Sequence, residues 1–261
     1  MRILFLGDVV GRAGRDAVAA GLPGLRAALR ADLVVVNGEN ASHGFGLAPD
    51  MAEAILAAGA DAITLGNHSW DRKELISYIG QQPRIVRPLN YPPGTPGAGS
   101  AVVTLQDGRK ALVLNAMGRL FMDALDCPFR GTAELLSRYK LGASIAAIVA
   151  DFHAEATSEK AAMGQYLAGR VAAVVGTHTH VATADTRILN GGTAFQTDAG
   201  FTGPYDSVIG ADSAGPITRF TTEMHSRFTV KDGPAELNAV LVHIENGRAV
   251  FVERYHFLES L

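Results

Sequence analysis

ILFLGDVV, residues 3–10, sets six apolar residues around a Gly7-Asp8 pair. A short apolar run closed by glycine and an acid reads as a β-strand buried on both faces. The next segments repeat the theme. An Ala/Leu/Arg-rich helical stretch covers 13–30, and a second apolar run, 33–37, ends in Asn37-Gly38-Glu39-Asn40. Further runs of the same kind lie at 62–65, 112–115, 146–151 and 171–176. Helical patterns fall at 49–58, with Pro49 near the start and Gly59 past the end, and at 158–169, capped by Thr157 or Ser158. Strand–helix–strand order predicts right-handed crossovers and a largely parallel sheet.

The last third reads differently. Residues 186–197, 217–222, 227–230, 237–245 and 249–256 read as strands joined by short turns, with hairpin signals at Asn190-Gly191-Gly192 and Asn246-Gly247. The fold expected is α/β: a two-sheet β-sandwich of mixed sheets flanked by helices, in one domain over 1–261. Residues 88–99 form a loop, and the Gly- and Pro-rich stretch 199–216 is an expected active-site rim.

Composition narrows the function. The chain has 261 residues, 48% apolar and 19% charged, with 23 basic against 26 acidic side chains for a net charge of −3. That balance argues against a basic coat for duplex nucleic acid. Cys127 is the single cysteine, so neither an internal disulfide nor a cysteine-rich zinc cluster is expected. No apolar run reaches the roughly 18 residues of a membrane span. An acid at position 8 argues against a secretory leader, so the expected location is the cytoplasm.

Polar side chains recur at the carboxyl ends of the expected strands, the edge at which open α/β sheets bind ligands. They are Asp8; Glu39 and Asn40; Asn67 and His68; His153, flanked by Asp151 and Glu155; and His178 and His180. Oxygen and imidazole donors without thiolates suit Mn, Fe, Zn or a similar ion. Each piece has a plainer reading: a helix-capping acid, a turn, or a satisfied buried histidine. His178-Thr179-His180 is the most specific, but alternate residues of a strand point to opposite faces. Both rings reach one site only if the chain bends there. Arg12 and Arg15 attract phosphate or form a solvated helix face. Trp70, Phe152 and Phe201 stack on a base or pack in the core.

The motifs carry a family resemblance. GD at 7–8, GNH at 66–68 and GTHTH at 176–180 look like calcineurin-type metallophosphoesterases. GDVVGR at 7–12, NGEN at 37–40, GNHSWD at 66–71, DFHAEATSEK at 151–160, VGTHTHVATAD at 175–185 and DAGFTGPYDSVIG at 198–210 resemble the YmdB-like branch. The usual first D-x-H lacks its histidine here, and Glu39 stands where a bridging aspartate is usual. Both departures are those of that branch.

The resemblance implies a two-metal centre in a β-sandwich. Asp8, Glu39, Asn40 and His180 would hold one ion, and Glu39, Asn67, His153 and His178 the other, with Glu39 bridging. Iron is the first choice of metal, with manganese or zinc as alternatives. The implied activity is a cyclic nucleotide phosphodiesterase acting on 2′,3′-cyclic and also 3′,5′-cyclic substrates, with attack by a metal-activated hydroxide. His68, next to Asn67, is the candidate proton donor. A homo-oligomer, dimer or tetramer, is implied as well. Two readings stand beside it: a phosphomonoesterase or 5′-nucleotidase on the same site, and a regulatory protein that binds metal and nucleotide with vestigial turnover.

Overall fold

Ile3 and Phe5 turn to one face of the first strand and Leu4 and Leu6 to the other, yet all four are fully buried. A strand covered on both faces needs a packed layer on each side. The computed structural model, which describes residues 1–258, supplies both. Ile3 and Phe5 enter an apolar layer shared with Val35, Val113, Val149 and Val240, between two six-stranded sheets. Leu4 and Leu6 meet Val18, Leu22 and Ile55 from helices on the outside.

The first sheet runs in the order Arg248–Leu258 (β14), Glu236–Glu245 (β13), Arg2–Leu6 (β1), Leu33–Asn37 (β3), Ala62–Thr64 (β4) and Ile85–Val86 (β5). β1, β3, β4 and β5 are parallel, and β13 joins β1 antiparallel. The second sheet runs Arg187–Leu189 (β10), Thr193–Gln196 (β11), Ala173–Thr177 (β9), Ala147–His153 (β8), Lys110–Met117 (β7) and Ser100–Thr104 (β6). Its four central strands are parallel and its two edges antiparallel. Asp8–Val9 (β2) and Phe201–Thr202 (β12) form a small third sheet. Gly11–Leu29 (α1), Pro49–Ala57 (α2) and Lys73–Tyr78 (α3) cover the first sheet. Pro128–Leu136 (α4) and Thr157–Leu167 (α5) cover the second. This is the expected sandwich of mixed sheets flanked by helices. No described helix is long and apolar enough to cross a membrane.

Three expectations are corrected. Residues 3–10 do not form one strand. The chain leaves the first sheet at Gly7, whose N–H reaches Asn238 O at 3.0 Å, and Asp8 N–H then pairs with Gly200 O at 3.1 Å. Residues 217–222 belong to a helix, Ala214–Thr222 (α6). Pro216 sits in its first turn, where no N–H is needed, and the β-branched content that suggested a strand is overridden. Residues 227–230 make no ladder; Val230 alone bridges Ala211. Conversely, α3, α4, β5 and β6 had no clear periodic signal; β6 is an edge strand with Val102 44% exposed.

The parallel strands of both sheets end on the same side. Two buried amides tie that side together: Asn37 Nδ2 donates to Asp151 Oδ2 at 3.0 Å, and Asn115 Nδ2 donates to Leu65 O at 2.7 Å.

Candidate metal centre

Every candidate donor sits where a strand ends or the chain turns out of one. Asp8 opens β2, Glu39 and Asn40 follow β3, and Asn67 and His68 follow β4. His153 ends β8, and His178 and His180 follow β9. Asp8, Glu39, Asn40 and His153 are buried. The alternation problem at 178–180 is solved by the backbone: φ is 98° at His178 and 63° at His180. Side chains other than glycine rarely adopt that region, and residues that do so cluster at functional sites. Space around the donors is equally specified. A Cβ at Gly66 would lie 2.2 Å from Glu39 Oε2 and 2.3 Å from His153 Nε2, so glycine alone fits.

Lone pairs face one another across the centre. His153 Nε2 lies 2.9 Å from Glu39 Oε1, 2.9 Å from Asn67 Oδ1 and 3.0 Å from His178 Nδ1. Its other nitrogen, Nδ1, is 2.9 Å from Thr177 Oγ1, and that hydroxyl donates its own proton to Asp151 Oδ1 at 2.6 Å. Thr177 therefore accepts the Nδ1 proton, and Nε2 is the nitrogen aimed at three electron-rich atoms, the place a cation would take. Glu155 Oε2 lies 3.2 Å from His178 Nε2, on the far side of that ring from the centre. His180 repeats the arrangement. Its Nδ1 donates to Ile209 O at 2.8 Å, while Nε2 faces Asn40 Oδ1 at 3.3 Å. The Asn40 amide nitrogen donates to Gly44 O at 2.9 Å, which settles the end turned to His180. Asp8 Oδ2 accepts the His178 backbone N–H at 3.2 Å, and Asp8 Oδ1 is buried with no hydrogen-bond partner among the described residues.

Buried acceptors without donors are costly, and cations relieve them. One donor atom each from Glu39, His153 and His178 lies within 4.8 Å of the others. The set is imidazole nitrogen with carboxylate and carboxamide oxygen, the chemistry of a divalent first-row ion. The residues fit such a cation. The electrostatics agree. Burial works against a charge on His153, but Glu39, Asp8 and Asp151 outweigh it and hold its pKa at about 9, so without a metal a proton takes the place between Nε2 and Glu39 that a cation would fill. Burial likewise raises Glu39, yet the charge and hydrogen bond of His153 bring it down to about 2. Burial and the charge of His153 depress His178 to about 3, so its lone pair persists. Burial raises Asp8 well above the usual carboxylate range.

The seven candidate donors and His68 thus converge, and His68 lies on the wall of the same cavity, about 380 Å³ in volume. Its backbone N–H donates to Glu39 Oε2 at 3.1 Å and its Nδ1 is 2.8 Å from Asp71 Oδ2. The structure adds residues that the motifs contained but that carried no role from sequence alone. Thr177 relays Asp151 to His153, and Asp71 holds His68. Lys160 Nζ, buried, donates to Asp198 Oδ2 at 2.6 Å. The same oxygen accepts Thr179 N–H at 3.1 Å and Thr179 Oγ1–H at 2.8 Å, so this ion pair grips the bend between the two histidines. The aromatic expectations are redirected. Phe152 packs on Phe129, Phe201 stacks on Tyr205, and Trp70 meets Tyr91. The aromatics lining the cavity are Phe45, Phe220 and Phe228. Their signal in sequence is faint, because each lies outside a periodic segment or on a misassigned one. Arg12 pairs with exposed Asp16, and Arg15 donates to the Ala41 carbonyl.

Known proteins share this chain's length and shape. It is 48% identical over 256 residues to the 2′,3′-cyclic-nucleotide 2′-phosphodiesterase of Bacillus subtilis, covering 97% of this chain and 96% of the relative. The crystal structure of a hypothetical protein from Thermus thermophilus superposes with a TM-score of 0.93 at 44% identity, covering 100% of both chains. That of a novel phosphatase from Mycoplasma pneumoniae superposes at 0.91 with 34% identity, covering 99% of this chain and 93% of that one. Residues 4–255 match the YmdB-like protein family, and the chain belongs to it.

Proposed function

We propose that the chain is a phosphodiesterase that hydrolyses cyclic nucleotides, 2′,3′-cyclic and also 3′,5′-cyclic, at a centre of two metal ions. The observation that carries the reading is the convergence of the ligand-type atoms of His153, His178, Asn67, His180 and Asn40 around Glu39 and the unpartnered Asp8 oxygen. Glu39, Asn67, His153 and His178 would hold one ion, and Asp8, Glu39, Asn40 and His180 the other. Iron is the first choice, with manganese or zinc as substitutes. When bound, such a pair activates water and neutralises charge on a phosphoryl group. The activity is supported by the name of the Bacillus subtilis relative.

The chain's own residues do the rest. Water adds to phosphorus and the ester bond to one ribose oxygen breaks. That oxygen takes the Nε2 proton of a His68 imidazolium, whose Nδ1–H is held by Asp71 Oδ2 at 2.8 Å, and the proton released by the water returns the ring to that form. A diester is favoured over a monoester because, among the described residues, no Lys or Arg lines the cavity to meet a second phosphate charge. A homo-oligomer, dimer or tetramer, is part of the reading. It is supported by the open edge of β14, where Val250 and Phe251 are exposed.

The test is metal analysis of the purified protein coupled to a nucleotide panel. Two ions per chain are expected, with faster turnover of bis-p-nitrophenyl phosphate than of p-nitrophenyl phosphate. Fewer than two ions, and no phosphoester turnover after loading with manganese or iron, overturns the proposal.

A further inference from the structure

The donors make only the floor of the cavity. Its walls come from two segments that lie apart in the chain. One is the turn after β3, where Phe45 lies between Gly44 (φ 86°) and Gly46 (φ 79°). The other is the link from β12 to β13, which brings Ile209, Phe220, Phe228 and Val230. A backbone seam closes this link on itself. Asp212 N–H donates to Thr229 O at 2.8 Å and Lys231 N–H to Gly210 O at 2.9 Å, beside the Ala211–Val230 bridge. Phe45 sets its ring edge against His68, with centroids 5.0 Å apart.

Charge on the walls is one-sided. Among the described residues, Glu39 and Glu155 are the carboxylates of the lining, and no Lys or Arg joins them. Lys231, on the seam, is turned to Asp212 at 3.6 Å. A volume of about 380 Å³ falls at the small end of the range of roughly 300–1,000 Å³ typical of small-ligand sites. A phosphorus atom bound over the floor therefore has its organic part between apolar and aromatic walls, with no cation placed to meet further phosphates.

We propose that this walled space is a base-binding subsite that takes the planar base of a single nucleoside cyclic phosphate and disfavours oligonucleotides ending in a cyclic phosphate. The inference rests on the phosphodiesterase reading and narrows its substrate class. Binding of polyanionic strands needs basic grooves along the backbone, and this cavity offers the opposite. Stacking of one base on aromatic side chains needs no charge and gives roughly five- to hundredfold in affinity per base.

The experiment compares three substrates on the manganese-loaded protein. They are adenosine 2′,3′-cyclic phosphate, the base-free methyl riboside 2′,3′-cyclic phosphate, and a hexanucleotide ending in a 2′,3′-cyclic phosphate. KM is expected to be at least about fivefold lower for the nucleotide than for the base-free analogue, and kcat/KM for the hexanucleotide at least as far below that of the monomer. Phe228→Ala is expected to shrink the base-dependent ratio to within about threefold, and Phe228→Tyr to restore it. Equal KM values with and without the base, equal use of monomer and hexanucleotide, or a ratio unmoved in Phe228→Ala overturns the subsite. Calorimetric binding of the same three compounds separates the two claims. Base-dependent binding that Phe228→Ala abolishes, without hydrolysis of any compound, keeps the subsite and rejects the phosphodiesterase reading.

Discussion

Thr179 is held where few backbones would rest. Its neighbours His178 and His180 both have positive φ, conformations that cost of order 1–3 kcal/mol each unless the surroundings impose them. What imposes them is Asp198, which accepts Thr179 N–H and Oγ1–H on one oxygen, at 3.1 and 2.8 Å, and Gly200 N–H on the other at 2.8 Å. The Lys160 ammonium balances that carboxylate out of reach of water. Removing one partner of a buried pair leaves an uncompensated charge and costs about 3–5 kcal/mol. Lys160→Met is therefore expected to lower the stability of the metal-free protein by about that much in urea unfolding. It is also expected to weaken manganese binding roughly 10–100-fold by calorimetry, as loss of a group orienting metal ligands does. Unchanged metal affinity would show that the bend holds without the pair. His68 acts differently, since it is no donor to the centre in this reading. His68→Ala is expected to keep the metal content and lose about 10²–10⁴-fold in kcat on an unactivated cyclic nucleotide. The loss should be much smaller on p-nitrophenyl esters, whose leaving group needs no proton.

At the scale of elements, the segment between β9 and β10 has no regular structure, and side-chain bonds fix it instead. Asp185 accepts Thr197 N–H at 3.1 Å and Thr183 Oγ1–H at 2.7 Å on Oδ1, and Thr197 Oγ1–H at 2.6 Å on Oδ2. Burial pushes its carboxyl up, but these bonds prevail and hold it below the usual range. A carboxyl with a depressed folded pKa stabilises above its unfolded pKa and loses that contribution as pH falls through the folded value. Urea midpoints should therefore fall between pH 5 and pH 3, and fall less steeply in Asp185→Asn; parallel pH curves would remove Asp185 from the account. These elements also show what the amino-acid order could tell. The buried strands β1, β3, β8 and β9 were legible because nearly every residue in them is apolar, and the β13–β14 turn because Asn246-Gly247 divides two alternating runs. The helix α6 was not legible. Its Ile217 and Phe220 are 54% and 80% exposed, so no buried stripe marks a helical period, and its β-branched composition pointed the other way. The donors were legible by type and by their place at strand ends. The partners that orient them, Thr177, Asp71 and Lys160, were not, because their roles exist only after two sheets bring distant segments together.

At the scale of the whole molecule, the centre is the point where the sheets are sewn to each other. Glu39 and Asn67 come from the first sheet, His153, His178 and His180 from the second, and Asp8 from the short third one. Any cation held there binds the assembled sandwich and not the unfolded chain, so it adds RT ln(1 + [M]/Kd) to stability. With free metal at about 100 times Kd the gain is about 2.7 kcal/mol per site. For a chain of this size each kcal/mol moves Tm by about 2–4 °C. Chelation is thus expected to lower Tm by roughly 5–10 °C for one such site, and further if two are filled at that excess. Gly66→Ala provides the control. Its methyl group would fall between Glu39 and His153, displacing donors from both sheets at once, so this variant should show little difference between metal-loaded and chelated Tm. A wild-type Tm indifferent to chelation, measured on protein shown to contain metal beforehand, would mean that the ion binds outside this seam.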